Sequence, residues 1–110
     1  MKTIIGIVVV VAFAAALPVR AADAKDNWEK NCAKCHGPDG KGDTKMGKKL
    51  EVRDLTDPKV QAAFTDAQAT TSIKDGVKAE GKQKMPGYAD KLSDDEIKAL
   101  VTYVRSLKKA

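Results

Sequence analysis

The chain has 110 residues, with 20 Lys and Arg against 15 Asp and Glu for a formal net charge of +5, two cysteines, one histidine and five aromatic residues. Less the apolar leader at its start, this length allows one domain, near the lower size at which a hydrophobic core suffices unaided. Lysines interleaved with carboxylates and thinly scattered aromatics exclude the basic, aromatic surface of a nucleic-acid binder, and no internal repeat or dividing linker is present.

Residues 1–22 read as a secretory signal, with Lys2 at the start, an apolar run from Ile4 to Leu17, and small residues in PVRAADA. The apolar run falls short of the roughly 20 residues of a membrane span. Cleavage is expected within residues 21–24, releasing a domain of residues 23–110 that is periplasmic or otherwise exported, with no membrane insertion. An uncut leader holding the domain at the membrane surface is the alternative.

Helical signals dominate residues 23–110, and no run alternates apolar and polar residues as a half-buried strand would. Ala24, Trp28 and Cys32 recur every four residues on one face of a first helix that starts near Asp23 and continues through Cys35 and His36 until Gly37-Pro38 ends it. Residues 37–56, rich in Gly and Lys, read as a loop. Asp57-Pro58 gives an N-cap and a first-turn proline for a short helix to about Phe64. Thr65 and Gln68 make a capping box for a helix that stops before Gly76. Residues 76–91 again read as a loop. The last helix, about residues 94–108, has the strongest signals: a Ser93/Glu96 capping box, a Leu92/Ile97 staple, and an apolar face of Ile97, Leu100, Val101, Val104 and Leu107. About four helices are therefore expected.

Both cysteines and the single histidine fall within Cys32-Ala33-Lys34-Cys35-His36. A disulfide over two intervening residues would constrain little of the unfolded chain. A thiol redox centre normally sits beside a βαβ pattern, and zinc needs four ligands that this chain does not cluster. C-x-x-C-H is the attachment motif of c-type haem, in which two thiols on one side of a helix reach the haem vinyl groups and the next residue presents its imidazole to the iron. For the second axial position, Met46 lies only ten residues after His36 and reads better as apolar filling. Met85, in KMPGY, lies far enough along to reach the opposite face, with Pro86 stiffening the backbone behind it. Gly42 to Lys48 matches most of a phosphate-binding loop, but Lys49 replaces the Ser or Thr that would hold magnesium, and no strand precedes it.

These residues give the chain from 23 onwards a resemblance to the small class I cytochromes c of bacterial periplasms. Cys32-Ala33-Lys34-Cys35-His36-Gly37 matches the family's haem motif, and Met85-Pro86-Gly87-Tyr88 looks like its methionine ligand with the following proline and aromatic. Ala24 and Trp28, with Leu100, Tyr103 and Val104, match the crossing of the first and last helices. The resemblance implies an all-α class I cytochrome c fold around one covalent haem c, with Cys32 and Cys35 as thioethers and His36 and Met85 as axial ligands. One departure stands out. Gly47-Lys48-Lys49-Leu50 occupies the place of the family's Gly-Pro-x-Leu segment, whose proline carbonyl accepts a hydrogen bond from the histidine ligand; a backbone carbonyl can still serve there.

The expected function is a soluble one-electron carrier, not an enzyme, monomeric, shuttling between larger redox proteins. Both axial positions are filled, which leaves no place for a substrate. Lys34, Lys45, Lys82 and Lys84 are candidates for steering acidic docking surfaces, and Arg53 is a candidate contact for a haem propionate. Two alternatives stay open: a haem domain with an open iron site, acting as sensor or peroxidase, and a dedicated electron-donor subunit of a redox enzyme.

Overall fold

The computed structural model describes residues 6, 8–10 and 21–109. The leader expected over residues 1–22 lies mostly outside them. Among the described residues the order is α1 (Ala21–Asn31), α2 (Ala33–His36), α3 (Lys45–Leu50), α4 (Pro58–Ala62), α5 (Asp66–Asp75), β1 (Val77–Ala79), β2 (Lys82–Met85) and α6 (Asp94–Ser106). No helix among them is long and apolar enough to cross a membrane.

Local rules set most helix starts. The Ser93 and Thr65 side chains accept from the backbone N–H groups of Glu96 and Gln68, whose side chains in turn accept from the Ser93 and Thr65 backbones. Asp57 caps α4 ahead of Pro58. Each such cap satisfies donors that the first helical turn otherwise leaves open, and is worth about 1 kcal/mol.

The core forms where α6 crosses α1. Ala24 and Trp28 from α1 meet Ile97, Leu100, Val101 and Val104 from α6, and Ile97 and Leu100 are fully enclosed. The Trp28 and Tyr103 rings pack 5.5 Å apart, and Asn27 Nδ2 donates to Glu96 Oε2 at 3.0 Å. Leu92, the outer half of the expected staple, is buried in the same cluster.

Three segments differ from the expectation. The first helix does not run unbroken through the cysteine motif: it ends at Asn31, and Cys32 stands between α1 and α2 with φ −112°. The chain nevertheless keeps its direction, because Cys32 O accepts from both Cys35 N (3.2 Å) and His36 N (3.0 Å), tightening the turn. Residues 37–56 are not all loop. Thr44 caps α3 by accepting from Gly47 N at 2.8 Å, while its hydroxyl donates to Cys35 O at 2.7 Å. Residues 76–91 contain an antiparallel hairpin, with Ala79 opposite Lys82, Lys78 opposite Gln83 and a bulge beside Val77. Its turn places Glu80 and Gly81 at φ 54° and 74°, the positive pair that matches the twist of a two-residue hairpin. The short helices α2 and α3 raise the helix number above the expected four.

Candidate haem-binding site

The helix crossing, the α4–α5 corner and the hairpin enclose an apolar cavity of about 550 Å³, within the range of small-molecule and cofactor sites. Cys32, Cys35, His36, Met85 and Arg53 all line it, although they come from three separate stretches of chain. Met46, half-buried in α3, is not part of its wall. The remaining lining is mainly aliphatic and aromatic, including Leu55, Val60, Phe64, Ile73, Leu100 and Val104.

The cysteine motif reaches this cavity because α1 is anchored by Trp28. The indole Nε1 donates to Gly37 O at 3.0 Å, just beyond the motif, and its ring lies 5.5 Å from the His36 imidazole. Gly47 of α3 sits so close to Cys35 O that an added Cβ would lie 2.4 Å from it. These contacts hold the short helix α2 from both sides.

Both thiols are free, Cys32 buried and Cys35 half-buried. Burial first, and the neighbouring Cys35 second, push the Cys32 thiol up to about 11, so it stays protonated at neutral pH. Burial also lowers His36 below its ordinary value, favouring the neutral imidazole that can ligate a metal. Its Nδ1 is buried with no hydrogen-bond partner. The resemblance predicts a backbone carbonyl from residues 47–50 as its acceptor. Instead that segment is wound into α3, where Lys48 O accepts from Glu51 N.

Met85 ends β2 half-buried. The loop after it is fixed to the C-terminal end of α5: Tyr88 N donates to Ile73 O (2.8 Å) and Ala89 N to Lys74 O (3.2 Å). Two glycines permit the approach. A Cβ at Gly76, which has φ +80°, would lie 2.5 Å from Met85 O, and one at Gly87 would lie 2.7 Å from Lys74 O. The buried Tyr88 hydroxyl then donates to Asn31 O at 2.9 Å, tying this loop to the residue before Cys32. Arg53 is exposed at the cavity edge; Lys34, Lys45 and Lys82 are exposed, and Lys84 lines the cavity.

Sequence reasoning missed Gly76, Gly87 and Thr44 as supports. Only the close approaches of the folded chain reveal the first two, whereas Thr44 carried a legible N-cap signal. The residues present fit a covalently attached, iron-containing ligand: an apolar cavity, two free thiols and a half-buried imidazole whose buried Nδ1 is unpaired.

Comparison with known proteins agrees. The sequence pattern of the cytochrome C oxidase, cbb3-type, subunit III family matches residues 19–104. Cytochrome c-553 of Helicobacter pylori (strain ATCC 700392 / 26695) is 35% identical over 109 residues, covering 98% of this chain and 100% of that protein. The cbb3-type cytochrome c oxidase subunit FixPc of Rhizobium leguminosarum bv. viciae is 36% identical over 90 residues, 82% of this chain and 29% of that protein. FixP of Rhizobium meliloti (strain 1021) is 30% identical over 82% of this chain, which spans only 28% of it; the chain thus covers under a third of either FixP relative. Among solved structures, the KustC0563 c-type cytochrome superposes with a TM-score of 0.70 at 32% identity, covering 78% of this chain and 98% of that one. The chain belongs to the cytochrome C oxidase, cbb3-type, subunit III family, as a small c-type cytochrome that binds haem c covalently.

Proposed function

We propose that Cys32 and Cys35 would hold the haem through thioether bonds, that His36 and Met85 would supply nitrogen and sulfur ligands to its iron, and that the protein shuttles single electrons without acting as an enzyme. One observation carries this reading: these four side chains converge on one apolar cavity. Bound there, haem c would supply a one-electron ferric/ferrous couple, and ligation by a methionine sulfur together with histidine would raise its potential. The chain's own part is to exclude water with its aliphatic wall, to keep His36 neutral, and to hold Met85 through the Gly76–Gly87 contact and the Tyr88 hydrogen bond. Arg53, at the cavity edge, is suited to a propionate.

Redox proteins are the partners. The full-length match to a small cytochrome c supports a free monomeric carrier. Two relatives named as oxidase subunits support a terminal oxidase as the kind of partner. Acidic docking surfaces fit the exposed Lys34, Lys45 and Lys82. The c-type cytochromes are generally exported, and residues 1–22 suit an export signal cut within 21–24 to leave a periplasmic domain. The test of ligation is the sulfur-to-iron charge-transfer band of the ferric protein. It should vanish in Met85→Ala and persist in Met46→Ala; a band unchanged in Met85→Ala refutes the axial assignment.

A further inference from the structure

Arg105, near the end of α6, makes more directed contacts than any other side chain among the described residues, and none is explained by holding the haem. Its Nε donates to Asp66 Oδ1 at 2.7 Å, its Nη1 to both the backbone carbonyl and Oε1 of Gln61, and its Nη2 to Phe64 O at 2.8 Å. The guanidinium also lies 4.3 Å from the Phe64 ring centroid. Gln61 is 3% exposed and fully paired. Its Nε2 donates to Leu55 O (2.6 Å) and to Val104 O (2.9 Å).

The fork geometry of arginine lets one side chain satisfy several acceptors at a chain corner that has no regular structure to satisfy them. Here the corner is the passage from α4 to α5, residues 62–66. The groups that it ties together are cavity groups: Leu55, Phe64 and Val104 line the cavity, as does Val60 beside Gln61. One end of α6 is thus locked to the wall that faces the haem. The Asp66 contact is different in kind, an exposed ion pair of little energetic weight.

We propose that Arg105, acting through Gln61 and Phe64, is a positioning residue that keeps this wall closed to water and thereby holds the potential of the iron high. The proposal rests on the cavity being the haem pocket. Solvent access and local dielectric around a metal site tune its potential, and water favours the more highly charged ferric state. With the clamp released, the carbonyls of Gln61 and Phe64 need water as a replacement donor, and water then enters beside the Phe64 ring.

The test is potentiometric titration of the purified, haem-loaded protein. Arg105→Lys keeps the charge but loses the fork. We expect the ferric/ferrous ratio at fixed poise to rise about tenfold, equivalent to a fall of ~59 mV for one electron. Gln61→Met, close in volume and unable to pair, should shift the same way, and it carries the test if Arg105→Lys does not accumulate. Asp66→Asn should leave the ratio within about twofold of the parent, because it removes only the exposed ion pair. A parent potential in Arg105→Lys or Gln61→Met, or an equal shift in Asp66→Asn, overturns the proposal. A parent protein that binds no haem would instead overturn the pocket assignment, so the two failures are distinguishable.

Discussion

Gly87→Ala tests whether the Met85 loop is held by close packing. An added Cβ would lie 2.7 Å from Lys74 O and 2.8 Å from the Asp75 carbonyl carbon, both backbone atoms that cannot swing aside. Restoring an ordinary 3.4 Å contact requires the loop to withdraw by about 0.7 Å from α5. That strains the bonds from Tyr88 N to Ile73 O and from Ala89 N to Lys74 O. Overpacking of this kind costs about 1–3 kcal/mol, and each backbone hydrogen bond lost about 1 kcal/mol. A total of about 2–4 kcal/mol lowers the melting temperature of a domain this size by roughly 10–25 °C. Gly81→Ala is the control. Gly81 has φ +74° but nothing within 4 Å of its added Cβ, so that substitution carries only the left-handed backbone cost of about 1–2 kcal/mol. Thermal unfolding of the haem-loaded proteins, followed together with the sulfur-to-iron band, separates the two. Gly87→Ala should weaken the band and melt well below Gly81→Ala; equal melting with an undiminished band would refute the reasoning.

Trp28→Phe should cost about 2 kcal/mol in denaturant unfolding, from a smaller ring in the core and the lost bond to Gly37 O. The cost stays moderate because Gly40 N still donates to Gly37 O at 3.2 Å; a loss above about 4 kcal/mol would mean that this carbonyl has no other support. Glu96 accepts from Ser93 N and Asn27 Nδ2, and these hydrogen bonds lower its carboxyl below the ordinary 4.5. A depressed carboxyl stabilises the fold above its unfolded value, and that contribution is lost as pH falls through the folded one. The melting advantage of the parent over Glu96→Gln should therefore be present at pH 7 and disappear in acid; an advantage independent of pH would contradict the assignment.

The parts legible in the sequence were those set by local rules. Caps such as Ser93 with Glu96 and Thr65 with Gln68 involve residues three apart, and the apolar stripe from Ile97 to Val104 repeats at the helical period. The cysteine and histidine motif was equally readable, because its chemistry needs consecutive residues. The hairpin was not legible: Val77–Ala79 and Lys82–Met85 are short, polar and bulged, and Glu80 is an uncommon residue for a positive φ. Helix α3 was hidden by the glycines and lysines around it. Its Gly47 is there for the close contact with Cys35 O, a reason visible only in three dimensions. The Arg105–Gln61 clamp joins residues 44 positions apart, and no periodicity announces such a pair.

The most direct test of the account is the mass of the exported protein, produced with c-type haem maturation, read intact and then as peptides. One added haem should be found, bonded to the peptide that carries both Cys32 and Cys35. A folded, exported chain with no added haem and two free thiols would contradict it.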